Sequence, residues 1–395
     1  MNLNNSLVIL DEYLENKSGH YYEYDKSVKE LFEKHKIKVY IYANKNLSKE
    51  LQNELQAQPY FNFNPNIWFR KIKILGSVIY RIYFWKTLYS QILKKTKQHQ
   101  ESTFFFPNIF WYNVLPIAFA LNINKVKATI LFRTSIIDIS QVNFLFKPFI
   151  RFLYIFSTYL IKKNKNVTFT SDSQVIADEF FIKTQLNMKV LPIPHVFDLG
   201  SRLKNPKDTF FRIYLPGPAR YEKGIELVVK SFEWINLNYP SHLKKIVFVC
   251  QFFGEKEKVF LEKLKEKLIS LPHTTLFLSL LNSEEYKKEI NKADIILLPY
   301  LNTCGYKSRT SGVLSEAIAC SKPFISTKDS WMYQQSINFN TGSCFEDMNS
   351  VDLAQKIMEM TNNYSIYLER AKNSKKEWLN YHSKENFYKI FTKEL

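Results

Sequence analysis

The sequence predicts an α/β protein made of two tandem, Rossmann-like doubly wound domains. First, 395 residues of which 46% are apolar are enough for two separate hydrophobic cores. Second, a strand candidate, a helical stretch and another strand candidate follow one another between residues 7 and 42, the order of a parallel strand–helix–strand unit. Third, a new alternating series starts after a polar linker at about residues 198–208.

The N-terminal series begins with the apolar run Leu7–Leu10, which is typical of a buried strand. A polar loop leads from this run to a helical stretch that ends near Phe32, and Ile37–Tyr42 is the next predicted strand. Short runs of the same kind predict four more strands, at residues 104–106, 128–132, 166–170 and 189–192.

The C-terminal series alternates in the same way. Strands are predicted at residues 211–215, 245–250, 275–278, 293–299 and 323–326, and helices at 224–236, 255–270, 283–292 and 311–319. Ligands of doubly wound sheets lie beyond the carboxyl ends of the strands, so the loops that follow these strands are where a binding site is expected.

Composition excludes several classes of protein. Aromatic residues make up 16% of the chain, which excludes a wholly disordered protein, and nine Gly exclude a collagen-like one. The four Cys are widely spaced and the seven His are scattered, so free thiols in a reducing cytosol are expected rather than disulfides or a zinc site. The N-terminus lacks a signal-peptide pattern, and no run reaches the ~18 apolar residues of a membrane span.

The net charge of +18 is concentrated in one part of the chain. Residues 55–165 contain 12 Lys and 4 Arg against only Glu101 and Asp138, together with 25 of the 63 aromatic residues. This basic aromatic block fits either a solvated face over an ordinary core or a surface for anionic lipid headgroups. Nucleic acid is a third, weaker interpretation, because no nucleic-acid-binding motif accompanies the charge.

The first candidate site is the turn G-P-A-R-Y-E-K-G at residues 217–224. It follows a predicted strand: Gly217 opens the turn, Arg220 and Lys223 supply two cations, and Gly224 begins a helix. Cations and a helix N-terminus at one strand end attract a phosphate or diphosphate. An ordinary strand–helix turn with surface charges is the alternative.

The second candidate site lies between residues 305 and 316, after the predicted strand at 293–299. Ser311 is a predicted helix N-cap, and Gly312, one of only nine Gly, leaves room for a ligand at the start of that helix. Glu316 lies about one turn further on, where its carboxylate would accept hydrogen bonds from sugar hydroxyls; an exposed helix residue without such a role is the alternative.

These two motifs, about 90 residues apart, resemble those of glycosyltransferases with the GT-B fold, and most closely the family-4-like group, the glycosyl transferases group 1. Members carry a G-x-x-x-x-E-K-G turn and a helix of the form E-A-x-A-x-x-K-P-x-I, which correspond here to residues 217–224 and 316–325. The resemblance implies two Rossmann-like domains with the donor cleft between them. It places the acceptor-side domain at residues 1–200, the nucleotide-sugar domain at 208–375, and a C-terminal helix that packs back on the first domain at 376–395.

The resemblance also implies roles for individual residues. Arg220 and Lys223, with Gly217, would bind the donor diphosphate and stabilise the leaving nucleoside diphosphate, and Glu316 would bind the nucleotide ribose. The backbone of Ser311, Gly312 and Val313 would support the phosphates or the donor sugar. No metal or other cofactor is expected, because cations and helix dipoles replace it, and the sequence contains no D-x-D motif.

The chain departs from the family pattern at two positions. Ser308 stands where the family often has a Glu that contacts the donor sugar, so Tyr306, Arg309 or a backbone amide would take that role. Pro218 stands where the family often has an Arg, which leaves Arg220 as the nearest cation.

On the acceptor side, His20 follows Gly19 in the loop after the first predicted strand. An imidazole there is a candidate catalytic base, and orienting the sugar or a structural hydrogen bond are the alternatives. Arg133 ends the strand at 128–132 and is a candidate contact for phosphate or acceptor. A retaining mechanism would need no general base, so the sequence leaves inversion and retention open.

Together these features predict a hexosyltransferase-like enzyme, cytoplasmic and peripheral on the membrane, that moves a sugar from a nucleotide-sugar donor to a glycan or lipid-linked acceptor in bacterial surface polysaccharide or lipopolysaccharide assembly. An anionic membrane surface is the expected partner, and nucleic acid is not. The alternatives are a nucleotide-sugar 2-epimerase on the same fold and a non-catalytic, membrane-associated homologue. The scarcity of carboxylates in residues 55–165 argues against the epimerase.

Overall fold

The computed structural model describes residues 6–17, 20–62, 74–136, 147–195, 210–253 and 258–393, with the backbone alone for residues 20, 74–81, 258 and 283. The chain divides into two compact units. Residues 1–195 and 382–395 form the N-terminal unit, and residues 196–381 form the C-terminal unit.

The N-terminal unit is built on a seven-stranded parallel sheet with the strand order β3-β2-β1-β4-β5-β6-β7. Its strands are β1 (Ser6–Asp11), β2 (Lys38–Asn44), β3 (Gln58–Phe61), β4 (Thr103–Ile109), β5 (Ala128–Phe132), β6 (Val167–Ser171) and β7 (Lys189–Val190). Its helices are α1 (His20–Lys34), α2 (Lys49–Leu55), α3 (Ile74–Gln98), α4 (Val114–Asn124), α5 (Lys147–Lys162), α6 (Gln174–Thr184) and the late helix α15 (Lys384–Thr392).

Apolar side chains cover both faces of this sheet, as its strand sequences require. One cluster packs α3, α4, α5 and α6 against the sheet, with Leu88, Leu121 and Tyr154 among its buried members. The other packs α1, α2 and α15 on the opposite face and includes Phe32 and Phe391, whose ring centroids lie 5.1 Å apart. Helix α15 therefore completes the core of the unit that begins the chain.

The C-terminal unit is built on a six-stranded parallel sheet with the order β10-β9-β8-β11-β12-β13. Its strands are β8 (Phe211–Pro218), β9 (Ile246–Gln251), β10 (Thr274–Phe277), β11 (Ile295–Leu298), β12 (Phe324–Thr327) and β13 (Ser343–Phe345). Its helices are α7 (Ile225–Asn238), α8 (Pro240–Leu243), α9 (Lys258–Ile269), α10 (Ser283–Lys292), α11 (Gly312–Ala319), α12 (Trp331–Asn338), α13 (Ser350–Asn362) and α14 (Tyr364–Tyr381). A single apolar cluster packs α7, α9 and α13 against the sheet.

The predicted class of two doubly wound sheets is confirmed, and most predicted elements lie within two or three residues of the observed ones. Strands β3 and β13 were not predicted. Each has four residues or fewer, and β3 contains Pro59, which weakens a strand pattern. The predicted linker at 198–208 lies outside the described residues. No described helix is long and apolar enough to cross a membrane.

Each sheet reverses its strand order at one point. In the N-terminal unit, β1 and β4 are neighbours whose following connections run in opposite directions, and in the C-terminal unit β8 and β11 are such a pair. A crevice opens at the carboxyl ends of such a pair of strands, which is where doubly wound proteins bind ligands. The two candidate motifs of the C-terminal unit follow β8 and β11.

Candidate active site

The turn after β8 is fixed by two glycines in the left-handed region. Gly217 has φ 75° and Gly224 has φ 74°, and a single 3-10 turn, Tyr221–Lys223, lies between them. A Cβ on Gly224 would lie 2.0 Å from the carbonyl oxygen of Pro299, just after β11, so no larger residue fits there. The Leu301 backbone amide donates a hydrogen bond to the Glu222 carbonyl at 3.0 Å, which is a second contact between the two loops. The two motifs that are distant in sequence therefore form one packed structure.

Lys223 is the half-buried cation of this turn. Its amine folds back over Gly217, where a Cβ would lie 2.6 Å from Nζ, and it sits 5.5 Å from the centre of the Tyr300 ring. Burial, then the charges of Arg220 and Arg309, lower the pKa of Lys223 to about 8, against the opposing charge of Glu222. A bound anion would favour the charged form of this amine.

Arg220 differs from Lys223 in its exposure. Its side chain is 49% exposed, and Nη1 lies 3.3 Å from a Glu222 carboxylate oxygen. An exposed ion pair of this kind holds its arginine weakly, so Arg220 can turn toward a ligand.

The start of α11 forms the second wall of the site. Ser311 caps the helix, with its Oγ accepting a hydrogen bond from the Leu314 amide at 3.2 Å. A Cβ on Gly312 would meet no atom within 4 Å, and its φ is outside the region that disfavours side chains. Neither backbone geometry nor packing requires glycine here, so open space at the helix start is what this residue provides. Val313 is half-buried beside it.

The loop between β11 and α11 contains a stack of aromatic and basic side chains. Tyr300 and Tyr306 have ring centroids 4.7 Å apart, and the Arg309 guanidinium lies 4.7 Å from the centre of the Tyr306 ring. Ser308 is buried at 1% exposure. The stack brings Arg309 close enough to Lys223 to affect its pKa.

Glu316 lies one turn into α11 and accepts a hydrogen bond from the Tyr286 hydroxyl at 2.6 Å. Burial raises the pKa of Glu316 to about 7, and the Tyr286 hydrogen bond and Lys287 partly oppose this shift. The carboxylate is thus held in one orientation with an acceptor oxygen to spare, as hydrogen bonding to hydroxyl groups requires.

In the N-terminal unit, Arg133 is surrounded by the protein's own groups. Its side chain is 10% exposed, its Nε lies 3.6 Å from a carboxylate oxygen of Asp172, and its guanidinium lies 4.3 Å from the centre of the Tyr24 ring. The predicted contact of Arg133 with phosphate or acceptor stays a prediction, and its buried partners give the side chain a structural role.

A pair of buried acids lies near Arg133 at the carboxyl end of β1. Asp11 accepts hydrogen bonds from the Asn108 amide at 2.9 Å and the Tyr13 backbone at 2.8 Å. Burial raises the pKa of Asp11 to about 6, and burial followed by the charge of Asp11 raises the pKa of Asp25 well above its usual range. The two carboxyl groups therefore hold one proton near neutral pH.

The remaining acceptor-side residues are described only in part. Gly19 lies outside the described residues. His20 is the first residue of α1, and its side chain also lies outside them. The proposed role of His20 as a catalytic base therefore stays a prediction.

Several residues of both sites were not singled out from the sequence. In the C-terminal site these are Tyr286, which donates to Glu316, and Tyr300, which packs on Tyr306. In the N-terminal unit they are Tyr24, which contacts Arg133, and His195, whose ring centroid lies 5.7 Å from that of Tyr24. Burial, and then the charge of Arg133, lower the pKa of His195 to about 3, so the ring is neutral. An aromatic residue directly after a predicted strand, as Tyr300 is, was the one available signal.

Comparisons with known proteins agree with this geometry. Residues 201–378 match the family model described as Glycosyl transferases group 1. A search of curated protein sequences gave no significant match.

Three solved structures that resemble this chain cover nearly all of it. Anabaena HepE in complex with UDP has a TM-score of 0.70 at 10% identity, covering 98% of both chains. Sucrose-phosphate synthase from Thermosynechococcus elongatus has a TM-score of 0.69 at 12% identity, again covering 98% of both. The lipopolysaccharide outer core galactosyltransferase WaaB in its apo form has a TM-score of 0.66 at 10% identity, covering 99% of this chain and 100% of that one.

The two sheets, the packed motif loops after β8 and β11 and the family match lead to one assignment. The chain has the GT-B fold, and within it residues 201–378, most of the C-terminal unit, match the model of the Glycosyl transferases group 1 family.

Proposed function

We propose that the chain transfers a sugar from a nucleotide-sugar donor whose diphosphate binds between the turn after β8 and the start of α11. The observation that carries this proposal is the half-buried Lys223 amine, which folds back over Gly217 close enough to Arg220 and Arg309 for their charges to lower its pKa. Such a concentration of positive charge costs free energy in the empty protein, and a diphosphate would relieve that cost.

Charge development in the reaction gives this arrangement its catalytic value. As the bond between the sugar and the diphosphate breaks, the bond electrons pass to the phosphate oxygen and negative charge grows on the leaving group. Lys223, with Arg220, would stabilise that charge, and the free backbone amides at the start of α11 would add to the effect. Removing one such preorganised donor typically lowers turnover by about 100- to 1,000-fold.

The other residues would hold the rest of the donor. Glu316, oriented by Tyr286, would accept hydrogen bonds from the ribose hydroxyls. By the family resemblance, Tyr306, Ser308 and Arg309 would contact the donor sugar. The open space at Gly312 would admit the phosphates. UDP is the first nucleotide to test, because HepE was crystallised with UDP and with UDP and glucose. No metal takes part in this proposal.

We further propose that the acceptor is a membrane-associated glycan or lipid-linked precursor of a bacterial surface polysaccharide or lipopolysaccharide, reached from the cytoplasmic side. The basic aromatic block at 55–165 supports an anionic membrane partner. WaaB, with the same fold, is a lipopolysaccharide galactosyltransferase, whereas the sucrose-phosphate synthase is named for a sugar phosphate. The fold therefore accommodates both kinds of acceptor, and the surface of this chain favours the first.

The test begins with thermal shift against UDP, GDP, ADP and their sugar conjugates. The stabilising conjugate is then incubated with a lipid-linked oligosaccharide, with and without EDTA, and both glycolipid and nucleotide products are analysed. Glycosylated lipid at equal rates in both samples is expected. Loss of turnover with EDTA would contradict metal independence.

The same assay separates the alternatives. A nucleotide-sugar 2-epimerase would change the nucleotide sugar in the absence of any acceptor, and a non-catalytic homologue would bind the nucleotide without product. The N-terminal unit does contain buried acids, Asp11, Glu12, Asp25 and Asp172, which a count over 55–165 does not cover. Asp11 and Asp25 share a proton, burial raises the pKa of Glu12 to about 8 so that it is largely neutral at pH 7, and Arg133 lies beside Asp172. Transfer is therefore the expected outcome.

A further inference from the structure

Helix α5 has two apolar faces, and among the residues that the structure describes only one of them is covered within its unit. Ile150, Tyr154 and Ile161 are buried against the sheet. On the other side, Phe149, Phe152, Phe156 and Tyr159 recur every three or four residues and so form one outer stripe. Their exposures are 58%, 61%, 41% and 55%.

This stripe is an ordered feature of the helix surface. The rings of Phe152 and Phe156 are stacked with centroids 6.1 Å apart, and the Lys163 amine lies 4.7 Å from the centre of the Tyr159 ring. Six phenylalanines are exposed among the described residues, and three of them are on this helix. Large aromatic side chains in water are unusual at this density, and such patches mark interaction surfaces.

The neighbouring helices extend the same character. Helix α4 packs against both α3 and α5. It exposes Phe119 and Ile123, while α3 exposes Ile82 and Tyr83. These three helices contain no Asp or Glu at all.

Positive charge accompanies the stripe at both ends of α5. Lys147 and Arg151 lie in its first turns, and Lys162 and Lys163 lie at its end. The C-terminal unit offers a contrast in α9, which exposes Val259 and Ile269 but alternates Lys with Glu along its length. Exposed apolar side chains with positive charge and no negative charge fit a surface that is both apolar and anionic.

We propose that α5 is the element by which the protein docks on an anionic lipid bilayer. The helix lies in the plane of the headgroups, with the rings of Phe149, Phe152 and Phe156 inserted at the acyl boundary and the cations on lipid phosphates. This proposal rests on the proposed function, since it names the surface through which a membrane-associated acceptor would be reached. It commits to lipid rather than protein because α3 and α5 both carry Lys and Arg, and none of the three helices carries an acidic residue that would repel anionic lipid.

Flotation with lipid vesicles is the first test. The full-length protein is expected to float with phosphatidylglycerol-containing vesicles at 0.1 M NaCl, and to float poorly with pure phosphatidylcholine or at 1 M NaCl, where the Debye length falls to about 3 Å. The double variant Phe152→Ser/Phe156→Ser should bind at least about tenfold more weakly, because it removes two apolar groups from the interface. Lys163→Gln should weaken binding about fivefold.

A matched control is available on α9. Val259→Ser/Ile269→Ser removes two side chains that are 75% and 62% exposed, and it should leave vesicle binding unchanged. Equal loss in the α5 and α9 variants, or no loss in the α5 variant, would overturn the assignment.

A second measurement reports on insertion directly. Because the chain has six native Trp, each variant is compared with wild type. The emission that Phe152→Trp adds should be quenched by brominated acyl chains, whereas the emission that Val259→Trp adds should not. If the Phe152→Ser/Phe156→Ser variant instead dissociates an oligomer in analytical ultracentrifugation and wild type ignores vesicles, the stripe is a protein interface and the lipid proposal is wrong.

The nucleotide thermal shift separates this proposal from the proposed function. The α5 variants should keep the wild-type shift with the stabilising nucleoside diphosphate, because α5 belongs to the other unit. Vesicle binding without any nucleotide shift would count against the glycosyl-transfer proposal alone. A nucleotide shift without vesicle binding would overturn the α5 proposal alone.

Discussion

Each unit has a basic side chain at the carboxyl edge of its sheet, and the two side chains differ in the charges of their neighbours. In the N-terminal unit, Arg133 is buried beside Asp172 and Tyr24, with two further acids nearby. In the C-terminal unit, Lys223 has two other cations close by and a single carboxylate, Glu222, to oppose them. One cation is paired with acidic groups of its own unit, whereas the other lies among like charges, as the proposed diphosphate site requires.

This difference teaches that a basic residue after a strand is an ambiguous signal. Both residues were candidates for contacting phosphate, and only the surroundings separate them. Substitutions of these basic residues should therefore have different effects. Stability should fall when Arg133 is replaced, and turnover should fall when Lys223 is replaced.

The largest expected effect is on stability. Arg133→Leu removes the cation beside the buried carboxylate of Asp172, which should cost about 3–5 kcal/mol of unfolding free energy and lower the melting temperature by roughly 6–20 °C. The same change in the other unit, Arg220→Leu, should shift stability by less than about 1 kcal/mol, since its ion pair is exposed. Thermal unfolding followed by circular dichroism measures both, and similar shifts would remove the contrast.

The next effect is on turnover. Lys223→Ala should lower the rate of sugar transfer by about 100- to 1,000-fold through loss of charge stabilisation on the leaving diphosphate. Lys230→Ala is the control: Lys230 lies on α7 in an exposed pair with Glu226 and should leave turnover unchanged. Full activity of Lys223→Ala, in a variant whose circular dichroism spectrum matches that of wild type, would contradict the proposed donor site.

A smaller effect tests whether open space at the start of α11 is used. Gly312→Ala adds a methyl group that meets no protein atom within 4 Å, and alanine favours a helix over glycine by up to ~1 kcal/mol. The variant should melt at or slightly above the wild-type temperature but bind the nucleoside diphosphate about tenfold more weakly. Calorimetric titration gives the affinity, and unchanged binding would mean that no ligand approaches there.

The smallest effect is a pH dependence. Because the folded-state pKa of Lys223 is lowered from 10.5 to about 8, the empty protein favours the neutral amine, and the stability this confers above pH 10.5 is lost as pH falls through 8. A diphosphate favours the ammonium. Binding should therefore weaken above pH 8, by up to about tenfold per pH unit, with proton uptake.

Titrations in buffers of different ionisation enthalpy detect that uptake. Lys223→Arg should flatten the pH profile, since arginine stays charged throughout this range. A wild-type profile as flat as that of the arginine variant would show that Lys223 does not titrate with binding.

Much of the fold follows from local sequence, and less of the site does. Ala128–Phe132 and Ser283–Lys292 were predicted with their observed bounds, because an apolar run and a helical stretch between two strands are local signals. The contact of Gly224 with Pro299 depends instead on which strands are neighbours, and no local pattern states this. The motif residues of the proposed donor site were named from their types and a family resemblance. Tyr286 and Tyr300 were missed because their importance arises only from packing.

The return of the chain at α15 has a consequence for biosynthesis. Phe387 and Phe391 fill the core between α1 and the first sheet, and the ring nitrogen Nδ1 of His382 accepts a hydrogen bond from the Ile193 amide at 2.8 Å. The N-terminal unit therefore cannot complete its core on the ribosome until α15 has emerged, whereas the C-terminal unit can fold earlier. In this protein the part synthesised first is the last to be finished, and during translation it would depend on protection from aggregation.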